Sequence, residues 1–203
     1  MQAITPSNFE IPSRHSIGSD PVEVTLLCSD VVGFTAMVER LGDRRALRVM
    51  RRLACIVRSV TAHHVGTQLE VRGDSFLLAF STPDAAVSCA AAIQRALVAD
   101  AASHPDEELR MRIALHTGTA LKRGSGFFGR HVILPYRLLS QTGAGEIAIS
   151  SCTIRRLGAT WHEITTGERT FQPKGFRDEV GFAFVDWASQ SFAQLTPQAV
   201  AVG

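Results

Sequence analysis

The chain has 203 residues, a formal net charge of +2 at pH 7, and 45% hydrophobic and 20% charged residues. This length and composition fit one globular domain with a substantial core. So small a net charge gives no case for nucleic acid or an anionic membrane surface as the main partner. Without a signal-peptide pattern or an apolar run of about 18 residues, the sequence predicts a cytoplasmic protein with no spanning helix.

The four cysteines, Cys28, Cys55, Cys89 and Cys152, are far apart and have apolar neighbours. They form no C-x-x-C pair of the kind found in metal or redox sites. The sequence therefore predicts reduced cysteines in the core of the protein.

The first half of the chain predicts the order strand, helix, strand, strand, helix, strand. Residues 1–21 form a polar N-terminal arm, and residues 22–187 form the domain. The order is that of a ferredoxin-like βαββαβ core, which places the protein in the α+β class. The predicted elements are strand Glu23–Ser29, a helical region Phe34–His64 broken near Gly42, strands Thr67–Val71 and Ser75–Phe80, helix Ala85–Ala99 and strand Leu109–His116.

Within the long helical region, apolar residues at steps of three and four predict one buried face that includes Leu47, Leu53 and Val57. A group of arginines between Arg44 and Arg52 predicts a solvated face of the same helix.

The last third predicts C-terminal additions to this core. Residues 117–118 begin a turn, residues 124–129 form a glycine-rich loop, and residues 188–203 form a flexible tail. The predicted elements are helix His131–Gln141, strand Glu146–Ser150, a short helix near Thr153–Leu157, and a hairpin of Thr160–Thr165 with Val180–Trp187.

Asp30 stands where the first strand ends, and such a carboxylate can hold a hard cation. In a ferredoxin-like topology the second and third strands form a hairpin beside the first strand. We therefore expect Asp74, in the turn of that hairpin, to lie close to Asp30. With the backbone carbonyl of Val31, the pair could hold two divalent cations, Mg²⁺ or Mn²⁺, which is the arrangement of two-metal phosphoryl chemistry. A turn or cap role is the alternative for either aspartate alone.

The helix that follows Asp30 begins with Gly33, Phe34 and Thr35. Backbone N–H groups at a helix start can bind phosphate, so these three residues are candidates for holding the phosphates of a nucleotide. An ordinary helix cap is the alternative.

Five segments resemble, in order and spacing, the motifs of class III adenylate and guanylate cyclase catalytic domains, in particular a bacterial single-domain subgroup. The resemblance covers about residues 22–187. It implies the class III cyclase fold and a homodimer whose sites lie at the interface, with metal ligands from one subunit and base-reading and transition-state residues from the other. The segments are Ser29–Thr35, Arg72–Ser75, Arg112–Gly118, Phe128–Leu138 and Lys174–Phe176.

Residue by residue, the resemblance gives Asp30 and Asp74 as the two metal ligands. Arg137 matches the arginine that stabilises the α-phosphate in the transition state, a role that suits a permanently charged, bidentate guanidinium. Lys174 is near the lysine that contacts the terminal phosphates, with a solvated turn lysine as its alternative.

Three positions depart from the family pattern or complicate it. Glu70 stands at the first base-reading position and argues against ATP, because a carboxylate cannot donate to adenine N1. The second base-reading position is Gly126, which has no side chain. The usual transition-state asparagine is replaced by Ile133, and losing one such donor costs on the order of 10²–10³ in rate. We expect a slow enzyme, an inactive site, or a relocated donor such as His131.

The resemblance thus predicts a nucleotide cyclase that makes a 3′,5′-cyclic nucleotide and pyrophosphate for second-messenger signalling, read by a downstream effector. The base stays open between GTP, ATP and the pyrimidine triphosphates used by antiphage cyclases. The alternative is a degenerate cyclase-like domain that only binds nucleotide or dimerises. His116 is predicted to be structural in either case.

Overall fold

The computed structural model describes residues 20–189 and 191–192. Within them the strands are β1 (Pro21–Val31), β2 (Thr67–Arg72), β3 (Ser75–Phe80), β4 (Met111–Arg123), β5 (Gly126–Phe128), β6 (Ile147–Ser150), β7 (Thr165–Phe171) and β8 (Val180–Val185). The helices are α1 (Phe34–Leu41), α2 (Asp43–His63), α3 (Pro83–Ser103), α4 (Arg130–Leu139) and α5 (Ser151–Ile154), with 3₁₀ turns at Pro105–Glu107 and Ala159–Ile164.

One sheet holds these strands in the order β2-β3-β1-β4-β6-β8-β7, with β5 paired to β4. Neighbouring strands among the first four are antiparallel, whereas β4 and β6 are parallel. The order β2-β3-β1-β4 is that of the ferredoxin-like core, so the predicted α+β class is confirmed. The strands β6 to β8 extend the sheet as the C-terminal additions.

The two faces of the sheet carry separate cores. On β1, Leu27 and Val31 pack with the buried faces of α2 and α3, whereas Leu26 and Cys28 pack with Leu138 of α4. Because strand residues alternate between faces, a side chain two residues after Cys28 points to the α4 side. The alternation therefore places Asp30 on the face that α4 partly covers.

Three of the predicted element boundaries are wrong. The residues 117–118 lie inside β4, because pairing with β1 continues from Met111 to Leu121. The glycine-rich loop contains β5, which pairs with the end of β4. The C-terminal hairpin uses Thr165–Phe171, and the predicted strand at residues 160–165 is mostly a 3₁₀ turn.

The predicted apolar face of α2 needs one correction. Leu53 and Val57 are fully buried, but Leu47 is 54% exposed, and Ala46 and Val49 take the buried positions instead. Both registers fit a 3.6-residue period, and Ala46 and Val49 join the core cluster together with Leu53 and Val57.

Of the four cysteines, Cys28 and Cys89 are buried, as predicted, whereas Cys55 is exposed and Cys152 is half-buried. All four thiols are free. The prediction of core cysteines is therefore wrong for Cys55.

Helix α3 is long and apolar enough to cross a membrane, by length and composition only. Its buried side chains include Val87, Ile93 and Leu97, which belong to the core between α3 and the sheet. Packing in a globular core accounts for the same apolar composition.

The predicted arm at residues 1–21 and the predicted tail at 188–203 lie largely outside the described residues. Within that tail, Phe192 is fully buried and makes an edge contact with Trp161 at 5.6 Å between ring centroids. Packed side chains therefore continue past the predicted domain boundary at residue 187.

The arginine-rich face of α2 is only partly solvated, because Arg45 and Arg52 form ion pairs. Arg45 Nε donates to Glu107 Oε1 at 2.5 Å, and Arg52 Nη1 donates to Glu107 Oε2 at 2.8 Å. Arg52 Nε also lies 2.8 Å from Asp100 Oδ1 on α3. The hydrogen bonds from the two arginines lower the pKa of Glu107 from 4.5 to about 2.

This ion-pair cluster predicts an acid-dependent loss of stability. A carboxyl whose pKa is lowered by folding stabilises the protein above its unfolded pKa, and the stabilisation is lost as pH falls through the folded pKa. We expect Glu107→Gln to be less stable than wild type at pH 7, with a difference that shrinks between pH 4.5 and about 2. Thermal unfolding across that range measures it. Glu39→Gln, which removes the same charge from an exposed α1 residue, should show no such convergence.

Candidate active site

Asp30 is held at the end of β1 by two neighbours on adjacent strands. Ser75 Oγ donates to Oδ1 at 2.8 Å, and Arg112 donates to Oδ2 from Nε at 3.1 Å and from Nη2 at 2.5 Å. The β1–β4 register places Arg112 directly opposite Asp30. The carboxylate is therefore fixed in orientation, and its side chain is only 18% exposed.

Asp74 lies in the β2–β3 turn with its carboxyl group facing Asp30, so the expected proximity is present. Burial raises the pKa of Asp74, and the charge of Asp30 raises it further. Two facing carboxylates repel each other unless a proton or a cation lies between them. This donor set fits divalent cations of the Mg²⁺ type, which bind one or two carboxylates and leave positions for phosphate oxygens.

The described residues contain no group of three or more His, Cys, Asp or Glu side chains placed to hold a metal ion. A cation at Asp30 and Asp74 would therefore need ligands other than side chains of these types. The Val31 carbonyl stays a prediction as such a ligand.

The turn after Asp30 begins helix α1. Gly33 is the N-cap residue with φ of 76°, a left-handed conformation that glycine adopts without strain, and no side chain caps the helix. No side chain therefore caps the N–H groups at the start of α1, which include those of Phe34 and Thr35. Their position directly after Asp30 suits an anion held beside the two carboxylates.

Arg137 and Lys174 lie close to one another. Both line a cavity of about 240 Å³ between the end of α4 and the turn after β7. Asp30 and Asp74 are not among the residues that line it. The chain thus brings the predicted site residues together in two groups, the aspartates in one and Arg137 with Lys174 in the other.

Glu70 is not a free carboxylate, because Arg72 donates a hydrogen bond to it from Nε on the same face of β2. Tyr136 of α4 lies close to both. Burial raises the pKa of Tyr136 to about 12, with smaller contributions from Cys28 and Glu70. The pair therefore presents a carboxylate acceptor next to the remaining N–H donors of the Arg72 guanidinium.

Gly126 begins β5, and a Cβ atom added there would meet nothing closer than 3.9 Å. Ile133 is 48% exposed on α4 and lines a cavity of about 290 Å³ with Arg130 and the turn at Gly175–Asp178. Its side chain brings no hydrogen-bond donor to this surface.

His131 as a relocated donor stays a prediction. Its Nδ1 atom lies 2.8 Å from Nε2 of His116, so this nitrogen faces the sheet rather than the exposed side of α4. His116 is 1% exposed, which fits its predicted structural role.

Arg112 and Arg72 are the two site residues that sequence reasoning missed. Both lie inside segments that carried the resemblance. The β1–β4 register would have placed Arg112 opposite Asp30, and strand alternation would have placed Arg72 on the face of Glu70.

The matching family model is described as the adenylate and guanylate cyclase catalytic domain and covers residues 19–183. A putative adenylate cyclase 3 of Rhizobium meliloti is 27% identical over 73% of this chain, and a serine/threonine-protein kinase, pkn2, of Myxococcus xanthus is 25% identical over 64%. The chain spans only 28% and 16% of the length of these two relatives.

Among solved structures, the guanylyl cyclase Cya2 is similar with a TM-score of 0.76 and 34% identity, over 83% of this chain and 94% of that chain. The adenylyl cyclase CyaB from P. aeruginosa has a TM-score of 0.70 at 23% identity, over 83% and 96%. The second similarity supports the fold alone.

The Arg112–Asp30 contact predicts how the site binds a free cation. Arg112 competes for Asp30 Oδ2, so Arg112→Ala should raise the affinity for Mn²⁺, by about fivefold to tenfold for the loss of one nearby positive charge. Calorimetric titration of the nucleotide-free protein measures this. Arg110→Ala is the control, because Arg110 is exposed and pairs with Glu108. Unchanged affinity in Arg112→Ala would contradict the competition.

Proposed function

Because the chain belongs to the adenylate and guanylate cyclase catalytic domain family, we propose that it converts a nucleoside triphosphate into a 3′,5′-cyclic nucleotide and pyrophosphate. The observation that carries this proposal is the convergence of Asp30 and Asp74 beside the start of α1. Such an arrangement can hold cations and a triphosphate together.

Asp30, Asp74 and the Val31 carbonyl would hold two divalent cations, Mg²⁺ or Mn²⁺. When bound, such cations supply positive charge that acidifies a hydroxyl group and neutralises phosphate oxygens. In the reaction the ribose 3′-hydroxyl loses its proton to water and its oxygen attacks the α-phosphorus. The bond from that phosphorus to the α,β-bridging oxygen breaks, and pyrophosphate leaves with the electron pair.

This chain's own groups on the aspartate side bind and orient the triphosphate. The N–H groups of Gly33, Phe34 and Thr35 would donate to its phosphate oxygens. Arg112 stands beside Asp30, and its side chain is 35% exposed. It can turn one N–H group toward a phosphate while still orienting Asp30.

The second group supplies the transition-state contacts. Arg137 would stabilise the negative charge that grows on the α-phosphate, and Lys174 would contact the terminal phosphates. Asp30 and Asp74 do not line the cavity that these two residues share, and a site shared between two copies of the chain would account for this arrangement. We therefore propose a homodimer with two sites at its interface, each built from the aspartates of one subunit and the cavity of the other.

For the base, we propose GTP as the first substrate to test. Glu70 can accept hydrogen bonds from the N–H groups of guanine, and Arg72 can donate to its O6 atom. The 34% identity to the guanylyl cyclase Cya2 supports the same choice. ATP and the pyrimidine triphosphates remain alternatives, and a cytoplasmic location, a downstream effector and a role in antiphage defence stay predictions.

A degenerate, regulatory domain is the second candidate. It is favoured by Ile133, an exposed apolar side chain at the position predicted for a transition-state donor. Loss of that donor would leave Asp30 and Asp74 as a nucleotide-binding site without turnover.

Turnover of GTP, ATP, CTP and UTP with Mn²⁺, followed by chromatography of the products, decides between the two candidates. We expect a cyclic product, lost in Asp30→Ala and reduced by about 10²–10³ in Arg137→Ala. No cyclic product from any of the four nucleotides would reject the enzyme and favour the degenerate domain.

Mixing the two inactive variants tests the shared site. A heterodimer of Asp30→Ala with Arg137→Ala has one site with both residues intact, so random pairing should restore about a quarter of wild-type activity. The mixture of Asp30→Ala with Asp74→Ala is the matched control, because every site then lacks an aspartate. Equal activity in the two mixtures would contradict a site shared between subunits.

A further inference from the structure

A buried chain of hydrogen bonds joins α4 to the centre of the sheet. His131 Nδ1 lies 2.8 Å from His116 Nε2, and His116 Nδ1 lies 2.8 Å from Ser150 Oγ. Ser150 Oγ lies 3.0 Å from Thr153 Oγ1, which accepts the backbone N–H of Thr117 at 2.8 Å. These hydrogen bonds link α4 to β4, β6 and α5.

The geometry of the two rings shows a site built for this contact. The imidazole rings of His116 and His131 are inclined by only 9°, with centroids 5.1 Å apart. Gly118 provides the space for His131, since a Cβ atom at that position would lie 2.3 Å from His131 Nδ1. A side chain larger than hydrogen at Gly118 would therefore displace the ring.

The first turn of helix α4 is held by side-chain contacts, which include Arg130 over the Phe176 ring at 5.4 Å and Val132 against the core, more than by its own backbone. Its N-cap residue, Gly129, offers no side-chain cap, and Pro135 lies inside the helix. Proline has no N–H group, so the carbonyl of His131 loses its usual partner four residues later. The side chain of His131 thus anchors a segment of helix that its own backbone holds weakly.

We propose that His131 is a positioning residue, which anchors α4 through His116 and so fixes Arg137 for the transition state. The proposal rests on the proposed function. The buried side of α4, with His131, Leu134 and Leu138, packs on the sheet, while Arg137 is on the exposed side. A rotation or shift of α4 on the sheet would move Arg137 by a similar distance, and transition-state stabilisation is sensitive to such displacements.

The contact also depends on neutral imidazoles. Burial, and then His131, Arg156 and Arg130, lower the pKa of His116 to about 3. Burial, and then Arg130 and Arg156, lower the pKa of His131 as well. At neutral pH each ring therefore has one donor and one acceptor nitrogen, which is what a His–His hydrogen bond requires.

The test compares two substitutions of similar shape. Asparagine places a polar atom near the position of His131 Nδ1, whereas leucine fills similar space without one. With the preferred nucleotide, we expect His131→Leu to lower kcat about tenfold with little change in KM, and His131→Asn to retain most of the activity. Loss of thermal stability without a change in kcat would show a merely structural role and overturn the proposal.

A double-mutant cycle shows whether His131 acts through Arg137. In the Arg137→Ala background, His131→Leu should lower kcat less than about twofold, because the residue that it positions is already absent. A full tenfold loss in that background would overturn the proposal.

A second cycle uses the space at Gly118. Gly118→Ala should lower kcat as His131→Leu does, because its Cβ displaces the ring. Gly118→Ala with His131→Ala removes the clash and should be no worse than His131→Ala alone. An additive loss in the double variant would contradict the ring contact.

If no nucleotide is cyclised, that result rejects the proposed function and not the role of His131. Hydrogen exchange then tests whether His131 anchors α4. We expect amides of residues 130–139 to exchange faster in His131→Leu than in His131→Asn or wild type. Equal exchange in the three proteins would show that His131 does not anchor α4, whatever the activity.

Discussion

The repulsion between the carboxylates of Asp30 and Asp74 is the constraint on which the candidate active site depends. Asp30 and Asp74 come together because β1 pairs with β3 and the β2–β3 turn ends beside it. Arg112 and Ser75 bind Asp30 directly. Burial and the charge of Asp30 raise the pKa of Asp74, although a backbone hydrogen bond and the charge of Arg112 offset part of this effect. A cation beside the two carboxylates would relieve the remaining repulsion, which is why the pair is a candidate cation site.

The topology follows from sequence because local patterns and chain order act together. The βαββαβ order predicts which strands are neighbours, and the β1–β3 pairing then brings the two aspartates together without any knowledge of side-chain contacts. The same logic failed for β4, whose pairing with β1 runs through Gly118 to Leu121. A Thr-Gly pair favours a turn locally, but a long partner strand supplies backbone hydrogen bonds that override this preference.

The sequence alone could not predict which side chains contact each other. The sequence predicted Glu70 as a base-reading residue and His131 as one possible relocated donor, but it did not predict the ion pair of Glu70 with Arg72 or the contact of His131 with His116. Both omissions have one cause. A motif identifies a position, whereas the charge and hydrogen-bonding state of that position depend on residues across the sheet. Leu47 shows the same limit for an apolar residue. Two helix registers fit the sequence, and the folded protein buries Ala46 and Val49 while Leu47 stays exposed.

The effect of Ile133 on the site has to be considered together with the other residues of α4. An isoleucine here removes a donor, yet the same helix carries Arg137 on its exposed side and a buried polar anchor on its inner side. A helix with a proline in its middle and no side-chain cap would be a poor platform for a transition-state arginine. The buried His131–His116 contact supplies the rigidity that the backbone of α4 lacks. The proposed anchor thus preserves the orientation of Arg137 on a helix that lacks a donor at position 133.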